Sequence, residues 1–239
     1  GGDTTQSRHG VVIDFTVLGR VGADQIRLRS HARPGDVVAM TGWPGESGAG
    51  LAWLLENEPA ESSGGRVGEP SSLPDAPYRP DPGAADPALA RLLRAHHNPR
   101  VFVREGAFLG RTDGVGAMLD LSDGLLSDAG HIARRSGCDV RLDAEAVPIS
   151  DALRAVCTLQ GWDPLRLALS AGEDYGLLFT LRPDQADSVL DAYESAFGER
   201  PAKIGRIEPC AQPESPGVRL WKHGEPWEVS WHGFDHFRS

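Results

Sequence analysis

Asp120, Ser122 and Asp123 fall within one short run, Leu119-Asp120-Leu121-Ser122-Asp123-Gly124-Leu125. They stand where an apolar stretch, 115–121, gives way to apolar residues at helical spacing: Leu125, Leu126, Ala129, Ile132 and Ala133. Gly137 follows where a helix-ending glycine belongs. The pattern predicts a strand-to-helix turn that brings two carboxylates and a hydroxyl to a helix N-terminus. Unpaired N–H groups and partial positive charge make that end an anion site. Carboxylate oxygens beside it can hold Mg²⁺ while amides and hydroxyl meet a phosphate. The competing reading is plain helix capping by Ser or Asp; metal and phosphate chemistry is favoured because three such groups coincide.

A second acidic pair occurs in Gly172-Glu173-Asp174-Tyr175, just before the apolar run 176–181. Unpaired charge is costly to bury, so neither acid reads as core. They read either as solvated turn residues or as contacts for a cationic or hydroxyl-bearing substrate. Gly42-Trp43-Pro44-Gly45-Glu46-Ser47-Gly48-Ala49-Gly50 is glycine-rich but lacks the Gly-Lys-[Ser/Thr] of a P-loop. It reads equally as a tight turn or as a phosphate contact. The histidines show no metal-ligand spacing, and His96-His97 reads as a surface pair at a helix end. Trp227, Trp231, Phe234 and Phe237 form a C-terminal aromatic group, read first as packing.

The elements that must position these residues alternate between strand and helix. Strands are expected at 11–21, 37–41, 115–121, 139–142, 176–181, 203–207 and 218–229, the last a hairpin turning at His223-Gly224. Helices are expected at 51–56, 86–98, 124–136, 150–160, 163–169 and 183–197. Residues 59–88 are rich in Pro, Gly, Ser and Asp and read as a long surface loop or partly disordered insertion. The class is α/β, a mixed sheet with helices.

With 239 residues and a net charge of −10, the chain suits one large domain or two small ones and lacks the basic face that nucleic acid requires. Three cysteines without paired spacing suit reduced thiols and a cytoplasmic setting. No apolar run approaches a membrane span.

In combination these segments resemble the thiamine-monophosphate kinase family, within the ATP-binding superfamily of aminoimidazole ribonucleotide and selenophosphate synthetases. The resemblance rests on Gly1-Gly2-Asp3-Thr4-Thr5, Arg29-Ser30-x-Ala32-Arg33-Pro34-Gly35-Asp36 and Thr41-Gly42-x-x-Gly45-x-Ser47-x-x-Gly50-Leu51. It continues through Asp120-x-Ser122-Asp123-Gly124-Leu125, Gly172-Glu173-Asp174-Tyr175 and Gly233-Phe234-Asp235-His236-Phe237. It implies ATP- and Mg²⁺-dependent phosphorylation of thiamine phosphate to thiamine diphosphate. By the same resemblance Asp3, Asp120 and Asp123 look like Mg²⁺ ligands, and Gly2, Asp3, Arg29 and Ser122 like ATP contacts. Glu173 and Phe234 look like contacts to thiamine. No catalytic base is implied, because a phosphate acceptor with a second pKa of about 6 is already largely ionised at neutral pH.

Full-length family members carry a further N-terminal region with more metal-binding acids, and they dimerise through it. The expectation is therefore an incomplete chain: 1–25 the remnant of an ATP-binding domain, ending in its last strand, and 26–239 the C-terminal synthetase-like domain. Gln6, Gly176 and the insertion depart from the family pattern. A superfamily synthetase with another substrate and a non-catalytic remnant that only binds ligand are the alternatives.

Overall fold

A computed structural model describes residues 16–57, 86–212 and 214–229. Among them seven strands form one sheet in the order β2-β4-β1-β5-β3-β6-β7. In chain order the elements are β1 (Val37–Met40), α1 (Glu46–Glu56), α2 (Pro87–His97), α3 (Val103–Arg111), β2 (Val115–Asp120) and α4 (Leu125–Ser136). They continue with β3 (Cys138–Asp143), α5 (Asp151–Gln160), α6 (Pro164–Ser170), β4 (Leu177–Leu181), α7 (Ala186–Phe197), β5 (Ala202–Pro209), β6 (Val218–Lys222) and β7 (Glu225–Pro226). Neighbours pair antiparallel except β3 and β6, which run parallel.

Side-chain alternation assigns the two faces of the central strands. Val38, Met40, Leu178 and Ile204 turn to the face covered by α4 and α6, where Leu125, Ala129, Ile132 and Leu169 complete the core. Ala39, Phe179 and Leu181 turn to the opposite face, under α3 and α7, against Leu109, Val189, Leu190 and Tyr193. A register shift between Val115 and Met118 puts Val115 and Ala117 in different cores, as a bulge requires. Helices α1, α2 and α5 form a satellite cluster around Leu92, Leu153 and Val156.

Several starts and stops follow from capping. The side chains of Asp86, Ser150 and Asp163 accept from the first-turn amides of α2, α5 and α6, and proline follows two of these caps at the first helical position. The β6–β7 turn has positive φ at both His223 and Gly224, as the expected hairpin demands.

Three expectations change. Thr16–Val21 form no strand, and Val17 and Leu18 are about 90 % exposed; no described strand lies beside them to complete a ladder. Helix α1 starts at Glu46 rather than Leu51, because packing overrides the poor helix propensity of Gly48 and Gly50. Pro183 lies in a turn and α7 begins at Ala186. Helix α3, for which the sequence reading gives no element, buries Leu109 and Glu105. The expected insertion at 59–88, apart from 86–88 at the start of α2, lies outside the described residues.

Candidate functional site

Asp120 ends β2, and the chain turns through Leu121, Ser122 and Asp123 into α4. The N-cap of that helix is Gly124, which has no side chain to offer the first amides. Instead Asp128, in the first turn of α4, reaches back; its Oδ2 accepts from the Ser122 N–H at 3.0 Å and the Asp123 N–H at 3.1 Å. Asp128 is 1 % exposed. Burial pushes its carboxyl up to about 7 against the pull of those amides, and the charges of Asp123 and Asp120 push the same way.

His131 lies one helical turn further on, its Nε2 3.9 Å from an Asp123 oxygen. Its pKa is lowered by burial first, then by the positive charges of Arg134 and Arg29. Arg29 thus belongs to the neighbourhood of this turn although it is far away in sequence. Asp123, Asp128 and His131 offer ligand atoms within 4.8 Å of one another. Asp123 and Asp120 add to the rise in the Asp128 pKa, and a hard divalent cation would relieve that crowding, so the residues fit Mg²⁺.

The loop after α6 forms the facing wall. The Glu173 N–H donates to the Ser122 carbonyl at 2.9 Å, and the Tyr175 N–H to the Leu121 carbonyl at 2.8 Å. Glu173 and Tyr175 both have positive φ, 64° and 52°. Such non-glycine strain persists only where surroundings enforce it, and it clusters at functional sites. The enforcing group is Asp174. Its carboxylate accepts from the Gly45 N–H at 2.7 Å and the Ser47 N–H at 3.0 Å, tying the loop to the start of α1.

Two open readings are resolved by this bond. The amides of the Gly42–Gly50 segment that an anion would need are partly taken by a protein carboxylate, so the segment here serves as a turn and helix start. The acidic pair divides its labour: Asp174 is structural, whereas the Glu173 side chain stays 59 % exposed. Ser47, Leu51, Ser122, Asp123, Glu173 and Tyr175 are among the residues lining a cleft of about 390 Å³. That volume suits a small ligand. A larger cavity of about 730 Å³ lies beyond α4, but its Asp139 already accepts from the Ala211 and Gly217 amides and pairs with Arg219. Its Glu208 likewise pairs with Arg141 and Arg206.

Asp174 also sets a pH dependence. Burial raises its pKa from 3.8 to about 7, opposed by the two amide bonds and reinforced by Glu46 and Glu173. With the folded pKa above the unfolded one, the folded state holds the extra proton between about pH 4 and 7. Stability from this group is therefore present at the acid end and lost as pH rises through about 7. Asp174→Asn, which cannot ionise, is expected to gain in Tm relative to the unsubstituted chain as pH is raised from weakly acidic to weakly alkaline. A difference in Tm that stays flat across that window would contradict the raised pKa.

The sequence-based site residues thus fall into three groups. Ser122, Asp123 and Glu173 line the cleft, Asp120 ends the strand that leads into their turn, and Arg29 lies near His131. Gly2, Asp3 and Phe234 lie outside the described residues, as do Trp231 and Phe237 of the aromatic group, while Trp227 packs against the main core. Sequence reasoning did not single out Asp128 or His131, it read Asp174 as a solvated turn residue or a substrate contact rather than a strut, and His96 is no surface residue: its side chain is 18 % exposed and faces Ser47 and Glu173.

The sequence matches the family described as AIR synthase related protein, C-terminal domain, over residues 33–214. Over its full length it is 35 % identical to thiamine-monophosphate kinase of Salmonella typhimurium and spans 63 % of that relative. With the Escherichia coli K12 enzyme the identity is 34 % and the span again 63 %. Among solved structures, thiamine-monophosphate kinase from Stenotrophomonas maltophilia K279a superposes with a TM-score of 0.63 at 29 % identity, over 86 % of this chain and 55 % of that one. AaThiL complexed with AMPPCP and TMP gives a TM-score of 0.62 at 28 % identity, over 87 % and 53 %. Hydrogenase maturation protein HypE of E. coli, 22 % identical with a TM-score of 0.58, shares the fold. By its sequence match and its architecture, the chain belongs to the AIR synthase related family, as a C-terminal domain of that family.

Proposed function

We propose that this chain carries the metal and acceptor wall of a kinase that transfers a phosphoryl group from Mg·ATP to thiamine phosphate, giving thiamine diphosphate. The observation that carries the reading is one cleft on which the Asp120–Asp123 turn and the strained Glu173 loop both converge. The named relatives and the complex of AaThiL with AMPPCP and TMP support the same substrates.

Asp120 and Asp123 would hold Mg²⁺, with Asp128 fixing the turn from behind. The metal, when bound, neutralises charge on the phosphates. Ser122 and Arg29 would contact the nucleotide. Glu173 would meet the cationic heteroaromatic acceptor, since a carboxylate beside an apolar wall suits such a ring. Gly2, Asp3 and Phe234 complete this reading from outside the described residues. Because the acceptor is itself an ionised phosphate, the residues need only hold and align the two phosphates. The same reading puts a domain boundary near residue 25 and a homodimer in the cytoplasm.

Calorimetry with thiamine phosphate tests the acceptor role. We expect saturable binding that Glu173→Ala weakens by about tenfold or more, the usual scale for removing a hydrogen bond or ion contact to a charged ligand. No binding by the unsubstituted chain, or equal affinity in the variant, would refute the assignment of Glu173.

A further inference from the structure

We propose that His96 is a positioning residue for Glu173, holding its carboxylate in the orientation that receives the cationic ring of the acceptor; this deepens the thiamine phosphate reading and rests on it. Three side chains from three separate elements meet beside the cleft. His96 Nδ1, on α2, lies 3.3 Å from Ser47 Oγ on α1 and 3.9 Å from Glu173 Oε2 on the loop after α6. The distances make Ser47 the direct hydrogen-bond partner and Glu173 an electrostatic neighbour.

Burial says which partner positions which. The imidazole is 18 % exposed and the carboxylate 59 %, so the ring is the fixed member and the acid the adjustable one. The ring is fixed because two helices approach unusually closely. A Cβ on Gly50 of α1 would overlap the Leu92 carbonyl oxygen and come within 3.0 Å of the His96 Cβ. Only a residue without a side chain lets α2 come so near, and this approach brings His96 up to Ser47 and Glu173, two residues of the cleft lining. The backbone of Glu173 is equally constrained, with positive φ and its N–H on the Ser122 carbonyl. Its side chain alone retains freedom.

A nitrogen lone pair facing a carboxylate is repulsive, so the proton belongs on Nδ1. There it donates to Ser47 Oγ and presents positive potential to Glu173. Without it, Glu173 would sample other rotamers, and ligand binding would carry the cost of ordering it.

Two measurements test this. In calorimetry, His96→Ala is expected to raise the Kd for thiamine phosphate about three- to tenfold, the range for one side chain that must be immobilised on binding. His96→Asn, whose amide can donate from a similar position, is expected to restore most of the affinity. In a Glu173→Ala background, His96→Ala is expected to add nothing. An unchanged Kd, or a loss fully additive with Glu173→Ala, would overturn the role. Independently of any ligand, long-range ¹H–¹⁵N spectra of the chain in mildly alkaline solution are expected to show His96 protonated on Nδ1. A ring protonated on Nε2 alone would overturn it as well. Failure of the unsubstituted chain to bind thiamine phosphate would instead sink the acceptor reading, with the spectra still judging the contact.

Discussion

Asp123→Ala is expected to reduce phosphoryl transfer from Mg·ATP about 10²- to 10⁴-fold, which corresponds to about 3 to 5 kcal/mol of transition-state stabilisation lost with a metal ligand. The expectation follows from position. Asp123 sits on a turn whose amides are held by Asp128, so the backbone that carries its carboxylate is fixed. Asp120, at the end of β2, is paired in register with Leu177 and is equally fixed by the sheet. Asp120→Ala should therefore act in the same direction. Raising Mg²⁺ should recover part of the loss in each variant, because a weakened site fills at higher concentration. Asp123→Asn keeps size and removes charge, and should resemble the alanine variant if charge is what holds the ion. Steady-state assays across a Mg²⁺ series decide the matter: turnover and Mg²⁺ dependence equal to those of the unsubstituted protein would remove both aspartates from the metal site.

Gly172→Ala should give a large loss of stability, about 2 to 4 kcal/mol, by forcing a methyl into a filled space beside buried backbone. A Cβ at Gly172 would overlap the Ser122 carbonyl oxygen and lie 3.2 and 3.3 Å from the carbonyl carbons of Ser122 and Asp123. Those atoms belong to the backbone of the Asp120–Asp123 turn and cannot rotate away as a side chain would. The loop would have to separate from the turn, breaking the bond from the Glu173 N–H to the Ser122 carbonyl. The two walls of the cleft would part together, so affinity for thiamine phosphate should fall with Tm. Gly106→Ala is the matched control. In α3 an added Cβ meets only Leu177 Cδ1 at an ordinary 3.7 Å, and alanine at a helical position should stabilise by up to about 1 kcal/mol. Opposite signs from the same chemical change, read by thermal melts, would verify the packing; a neutral Gly172→Ala would refute it.

Much of the site was readable because its chemistry is local. Asp120, Ser122 and Asp123 announce themselves by lying between a period-two and a period-3.6 pattern. Glu173 announces itself as an acid beside a buried strand. The groups that support them carried a quieter signal. Asp128 falls three residues after Leu125 and four before Ile132, on the apolar stripe of α4, where an acid is out of place unless something pairs with it. His96 continues the stripe of Leu89, Leu92 and Leu93 on α2, which is a reason to doubt a surface role.

Other features depend on partners distant in sequence. The run 11–21 has strand composition, yet its described part, Thr16–Val21, has no ladder, since a strand exists only with a neighbour. Glycines that read as a loop became the first turns of α1 because Ala171 and Leu92 pack where their side chains would be.

The sequence by itself therefore determined the chemical alphabet of this protein: an aspartate–serine turn on a strand-to-helix junction, a glutamate at a strand mouth, and a mixed sheet to carry them. These follow from periodicity and short-range spacing, which a chain displays before it folds. Only the tertiary structure decided which acid faces the ligand and which is a strut. Asp174 and Glu173 are adjacent and chemically alike, and what separates them is the pair of amides from α1 that Asp174 accepts across 127 and 129 residues of chain. A carboxylate's role is set by the hydrogen bonds and solvent around it, and for this pair those come from segments that meet only when the chain has folded.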